Sequence, residues 1–134
     1  MDQEIYKPWR PLDDIPAELM VYALYDDCEG VRVLLADVQT GLGPPHLLIN
    51  FDESEAYRNL DECRRLKTFG EAQGFPCSCS LFTVENSRWL QWFNDENLGI
   101  PFDERIEYKH YSIITQADFI DVISGFEPIV EWLR

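Results

Sequence analysis

Two apolar runs of period two, ELMVYALY (18–25) and VRVLLADV (31–38), flank the turn-forming stretch DDCEG (26–30). Successive side chains of a strand point to opposite faces, so this alternation marks half-buried strands. Two such runs around a short polar turn read as a β-hairpin. A hairpin commits the chain to antiparallel pairing, and the apolar face it creates must be covered by other elements. HLLINF (46–51), AYRNL (56–60), SLFTVE (80–85), YSIIT (111–115) and FEPIVEWL (126–133) read as further strands. Pro128 lacks the amide hydrogen that a ladder needs, so the last strand is expected at a sheet edge.

Two helices are expected in the later part of the chain. In NSRWLQWFNDENLG, Trp89, Leu90, Trp92 and Phe93 share one helical face, Asn86 or Ser87 can cap the start, and Gly99 can end it. This stripe is expected to face the core. Thr115-x-x-Asp118 matches a capping-box pattern, with Ile114 placed to staple onto Phe119, and predicts a second helix over 116–124 that stops at Gly125. Residues 65–74, RLKTFGEAQG, fit either a short helical turn or a loop. The arm 1–17, with three prolines within 6–17, is expected to be irregular and pinned by Trp9. The expectation is one α+β domain over residues 1–134: a mainly antiparallel sheet with two short helices packed on it.

Charge narrows the partners. The formal net charge is -14, from 25 Asp+Glu against 11 Lys+Arg. Neutralising nucleic-acid phosphates takes clustered Lys and Arg, so neither nucleic acid nor an anionic membrane surface is an expected partner. A field of this sign steers toward a basic protein. The N-terminal MDQEIYKPWRPLDD shows no signal pattern, and no apolar run approaches the ~18 residues of a membrane span. A cytoplasmic location is expected, and with it reduced thiols at Cys28, Cys63, Cys77 and Cys79.

No motif for chemistry stands out. Cys77-x-Cys79 has the wrong spacing for zinc, and no P-loop, G-x-G-x-x-G or G-x-S-x-G is present. The expectation is no cofactor, no metal, no catalytic residue and no enzymatic activity. The oddity is FDESEAYRNLDECRRLK, where Arg58, Arg64, Arg65 and Lys67 fall within ten residues of an acidic chain. Alternation within AYRNL lets Arg58 point inward, where it needs a carboxylate. Glu62 is the first choice, with Asp61, Glu85 and Asp118 as alternatives. Arg64, Arg65 and Lys67 are expected in solvent. His110, at the head of HYSIIT, fits either a structural hydrogen bond or a cleft residue, and His46 is expected at an exposed strand start. The candidate binding residues are Tyr57, Arg58, Glu62, His110 and Tyr111.

The ordered motifs FDxxxAYRNLDE, VENSRWLQWF, HYSIITQADFIDVIS and EPIVEW resemble a family of small uncharacterised bacterial cytoplasmic proteins. The resemblance spans about residues 45–133 and rests on Tyr57, Arg58, Glu62, Asn86, Ser87, Trp92, His110, Tyr111, Asp118 and Pro128. It implies no particular activity. Similar small acidic proteins serve as immunity partners in bacterial toxin systems, which suggests a module that neutralises a basic partner. The alternatives are a small-ligand binder or enzyme with a cleft around Arg58, Glu62 and His110, and a homodimeric module pairing through its C-terminal strand.

Overall fold

A computed structural model describes residues 3–75, 79–100 and 104–134. Nine strands and two helices are described in it, together with a single 3-10 turn. β1 (Ile5–Pro8), β6 (Leu81–Glu85), β7 (Lys109–Ile114), β8 (Asp118–Ser124) and β5 (Ser54–Asp61) form one antiparallel sheet, in that spatial order. β2 (Leu19–Asp27), β3 (Gly30–Asp37), β4 (His46–Phe51) and β9 (Ile129–Leu133) form the second. The 3-10 turn Glu62–Arg64 leads into α1 (Leu66–Glu71), and α2 (Arg88–Glu96) follows β6. The architecture is α+β and mainly antiparallel β, with two helices.

The expected hairpin is β2–β3, with Asp27 opposite Gly30 across its turn. Gly30 takes φ +94°, and a Cβ there would stand 2.9 Å from the Phe51 carbonyl oxygen, so the turn admits little else. Alternation sends Val31, Val33 and Leu35 of β3 and Leu47, Ile49 and Phe51 of β4 to one face. There they meet Leu81, Tyr111, Ile113, Ile120 and Val122 of the other sheet in one buried cluster. Trp9, Leu12 and Ile15 of the N-terminal arm pack against it, and the Trp9 and Tyr111 rings lie 5.1 Å apart. Pro128 precedes β9, which is an edge strand as expected.

The opposite face of the five-stranded sheet is covered by the helices. Tyr6, Phe82, Val84 and Phe119 form a second cluster there, under Phe69 of α1 and Phe75. Beside it, the Trp89 ring of α2 stands 5.3 Å from the His110 ring.

Three local expectations are corrected. Residues 118–124 are strand β8, not a helix. The Thr115 hydroxyl does accept from the Asp118 amide (3.0 Å), but the Thr115 amide donates to the Asp118 carbonyl (2.9 Å), closing a hairpin turn. One side-chain-to-backbone bond serves a turn as well as a helix cap, and six of the seven residues of β8 are buried because both its faces are covered. Part of the N-terminal arm is β1, held to β6 from Ile5 opposite Glu85 to Pro8 opposite Phe82. The Trp89–Trp92–Phe93 stripe is not sealed into the core: α2 buries none of its residues. Its start matches the expectation, since the Ser87 hydroxyl accepts from the Leu90 amide (3.0 Å). The ambiguous stretch contains α1.

Candidate functional site

The register of β5 against β8 builds the site. Arg58 lies directly opposite Asp121, and Ser112 of β7 lies opposite Asp121 on its other side. All three project to the helix-covered face. Asp121 has no exposed surface, and four polar side chains meet its carboxylate. Oδ2 accepts from Arg58 Nε (2.9 Å) and Arg65 Nη1 (2.6 Å). Oδ1 accepts from Ser112 Oγ (2.9 Å) and stands 2.6 Å from His110 Nε2. Burial alone pushes the Asp121 carboxyl up. The His110 hydrogen bond and the charges of His110, Arg58 and Arg65 outweigh it and hold the group well below the usual carboxylate range.

The partners are themselves fixed. The Arg58 guanidinium lies over the Trp89 ring, 4.5 Å from its centroid. Arg65 rests on the Phe119 ring at 3.8 Å and donates from Nε to Thr68 Oγ1 at 3.3 Å. His110 Nδ1 stands 2.7 Å from Ser87 Oγ. Among the described residues the buried Tyr6 hydroxyl near this group has no hydrogen-bond partner; burial, then the negative charges of Asp121 and Glu4, pushes its phenol far above the ordinary range.

Above the two arginines, between α1 and α2, lies a cleft of about 500 Å³. Arg58, Arg65, Lys67 and Arg88 line it, which is four of the 11 Lys+Arg of a chain with net charge -14. Glu4 and Glu71 line it too, and both engage Arg88: Glu71 pairs with its guanidinium (3.1 Å) and Glu4 accepts from its backbone amide (2.9 Å). Among the described residues Lys67 has no ion-pair partner, and neither do the terminal nitrogens of Arg58. Trp92, 53% exposed, and Trp89 provide the aromatic wall.

Of the candidate residues, Arg58 alone lines this cleft. His110 stands behind it, joined through Asp121. Tyr57 lies on the other face of β5, where a hydrogen bond with Asp26 pushes its phenol up. Tyr111 belongs to the sandwich core. Glu62 sits in the 3-10 turn away from Arg58, and its backbone amide bonds to the Ala117 carbonyl. The carboxylate facing Arg58 is therefore Asp121, and not Glu62, Asp61, Glu85 or Asp118. Arg65 is likewise not in solvent, being 7% exposed, whereas Arg64 and Lys67 are exposed. Asp121, Arg65 and Ser87 were missed as site residues. No sequence signal marks Asp121: its place opposite Arg58 is set by the register of β5 against β8, and a helical reading of 116–124 hides even the strand.

Ser87, His110 and Asp121 fall in hydrogen-bonded series, the order of a nucleophile, base and acid. A nucleophile must reach its substrate, and here Ser87 is buried, caps α2 and does not line the cleft. The series positions the Asp121 carboxylate, which in turn aims the two arginines. Cys77 lies outside the described residues; among those described, no group of three or more His, Cys, Asp or Glu side chains is placed to hold a metal ion. Likewise, none of the described helices is long and apolar enough to cross a membrane. Comparison with protein-family models, with curated proteins and with solved structures finds no match to this chain.

Proposed function

We propose that the protein is a non-enzymatic binding module whose cleft between α1 and α2 takes a small anionic ligand. The observation that carries this reading is that Arg58 and Arg65 share one buried carboxylate oxygen. Two guanidinium charges against one carboxylate leave a positive excess, held in fixed orientation at the floor of an open cleft. Pre-oriented guanidinium groups are suited to planar, multi-point recognition of an oxyanion. Isothermal titration with inorganic phosphate and with benzoate tests it. Saturable one-to-one binding of at least one of them, weakened tenfold or more by Lys67→Ala and by Arg58→Ala, is the expected result. No binding of either anion, or binding that both variants leave intact, overturns it.

A second reading is favoured by the outer face of the β2–β3–β4–β9 sheet. Tyr25, Leu34, Leu48, Ile129 and Leu133 are exposed or half-exposed there, and its one arginine, Arg32, is held by Asp27 (2.6 Å) and Glu29 (3.1 Å). An apolar centre with acidic edges suits a basic protein partner. A partner isolated on this protein and then purified should rebind with affinity that falls as salt rises, and Leu48→Glu should abolish the complex. A salt-insensitive complex, or one untouched by that substitution, overturns the reading.

A further inference from the structure

The anion reading leaves the ligand's chemistry open, and three features of the cleft narrow it. The first is the number of unspent cationic donors. A carboxylate is matched by one arginine fork. Here the terminal nitrogens of Arg58, Nη2 of Arg65 and the Lys67 ammonium are all unspent among the described residues, on three separate side chains. Three donor side chains, Arg58 from β5 and Arg65 and Lys67 from the start of α1, suit a tetrahedral dianion with three terminal oxygens better than a planar monoanion.

The second feature is the aromatic wall. Trp89 is already in use, with Arg58 on its ring and His110 at its edge. Trp92 follows three residues later on the same helix face and lines the same cleft, yet is 53% exposed. An exposed indole offers a flat apolar surface on which a planar ring can stack.

The third feature is spacing. Residues three apart on a helix have Cβ atoms about 5–6 Å apart. Trp92 is therefore rooted roughly one helical turn from Trp89, on whose ring Arg58 lies, and both line the one cleft, a spacing compatible with a phosphoryl group attached to a ring directly or through a short linker.

We infer that the ligand is a phosphomonoester carried on a planar ring. The phosphoryl group rests on Arg58, Arg65 and Lys67, and the ring lies against Trp92. This rests on the anion-binding reading of the same cleft. An aryl phosphate and a nucleoside monophosphate share the chemistry, and the test separates them.

The experiment is isothermal titration of the full chain with inorganic phosphate, ethyl phosphate, phenyl phosphate, adenosine 5′-monophosphate and benzoate. Phenyl phosphate or the nucleotide should bind at least tenfold more tightly than inorganic or ethyl phosphate, and the better of the two identifies the linker length. Trp92→Ala should remove that tenfold preference and leave inorganic phosphate binding unchanged. Lys67→Ala, at an exposed position that does not support the fold, should weaken every phosphate at least tenfold. If phenyl phosphate and the nucleotide bind no better than inorganic phosphate, the ring is refuted while the anion site stands. If benzoate binds more tightly than phenyl phosphate, the phosphoryl group is refuted and a carboxylate site remains. If no anion binds, both readings fail together.

Discussion

Asp121→Ala is expected to lower folding stability by about 3–5 kcal/mol at neutral pH, measured by urea denaturation with tryptophan fluorescence. The substitution strips the shared acceptor, which has no exposed surface, from two arginines, a histidine and a serine. Removing one member of a buried charged group costs more than the pair itself contributes, because the remaining charges stay desolvated. Asp121→Asn keeps the shape and one acceptor but not the charge, and should fall between. A loss below about 1 kcal/mol for the alanine variant would show that the network contributes little. The pH dependence has a definite sign. The folded-state carboxyl lies below its unfolded value. Its contribution is therefore complete above the unfolded value of about 4 and is lost as pH falls through the folded one. The gap between wild type and Asp121→Asn should narrow as pH falls below about 4, where the carboxyl begins to be protonated.

The two arginines on Asp121 should separate sharply in stability. Arg65→Ala is expected to cost about 3 kcal/mol, since its side chain is 8% exposed, bonds Asp121 and Thr68, and packs on Phe119. Arg58→Ala should cost only about 1 kcal/mol, because its side chain is 34% exposed and solvent screens much of its interaction. Denaturation midpoints of the two variants at neutral pH check this. Equal losses would mean that Arg58 is as much a structural member of the network as Arg65.

Much of the sheet framework was legible in the chain. The β2–β3 hairpin, β4, β6, β7 and the edge position of β9 follow from period-two alternation and the placement of Gly and Pro, which are local properties. Ser87 as the cap of α2 is local as well. Strand β8 was illegible for a physical reason: a central strand covered on both faces loses its alternation, and a threonine three residues before an aspartate serves a turn as readily as a helix. β1 was illegible because a short, proline-flanked arm becomes a strand only when β6 offers it an edge.

The sequence by itself determined that the chain is acidic, antiparallel at its start and unusually dense in cations between Arg58 and Lys67. It also determined that Arg58 could face inward, since alternation allows that from five residues alone. Which carboxylate Arg58 meets was decided only by tertiary structure, because strand register joins residues 63 positions apart and no local rule spans that distance. The division of the cations was decided in the same way. Arg65 and Arg64 are chain neighbours of identical chemistry. One is buried on Asp121 and the other stays in solvent because the 3-10 turn and the packing of α1 on Phe119 direct them differently.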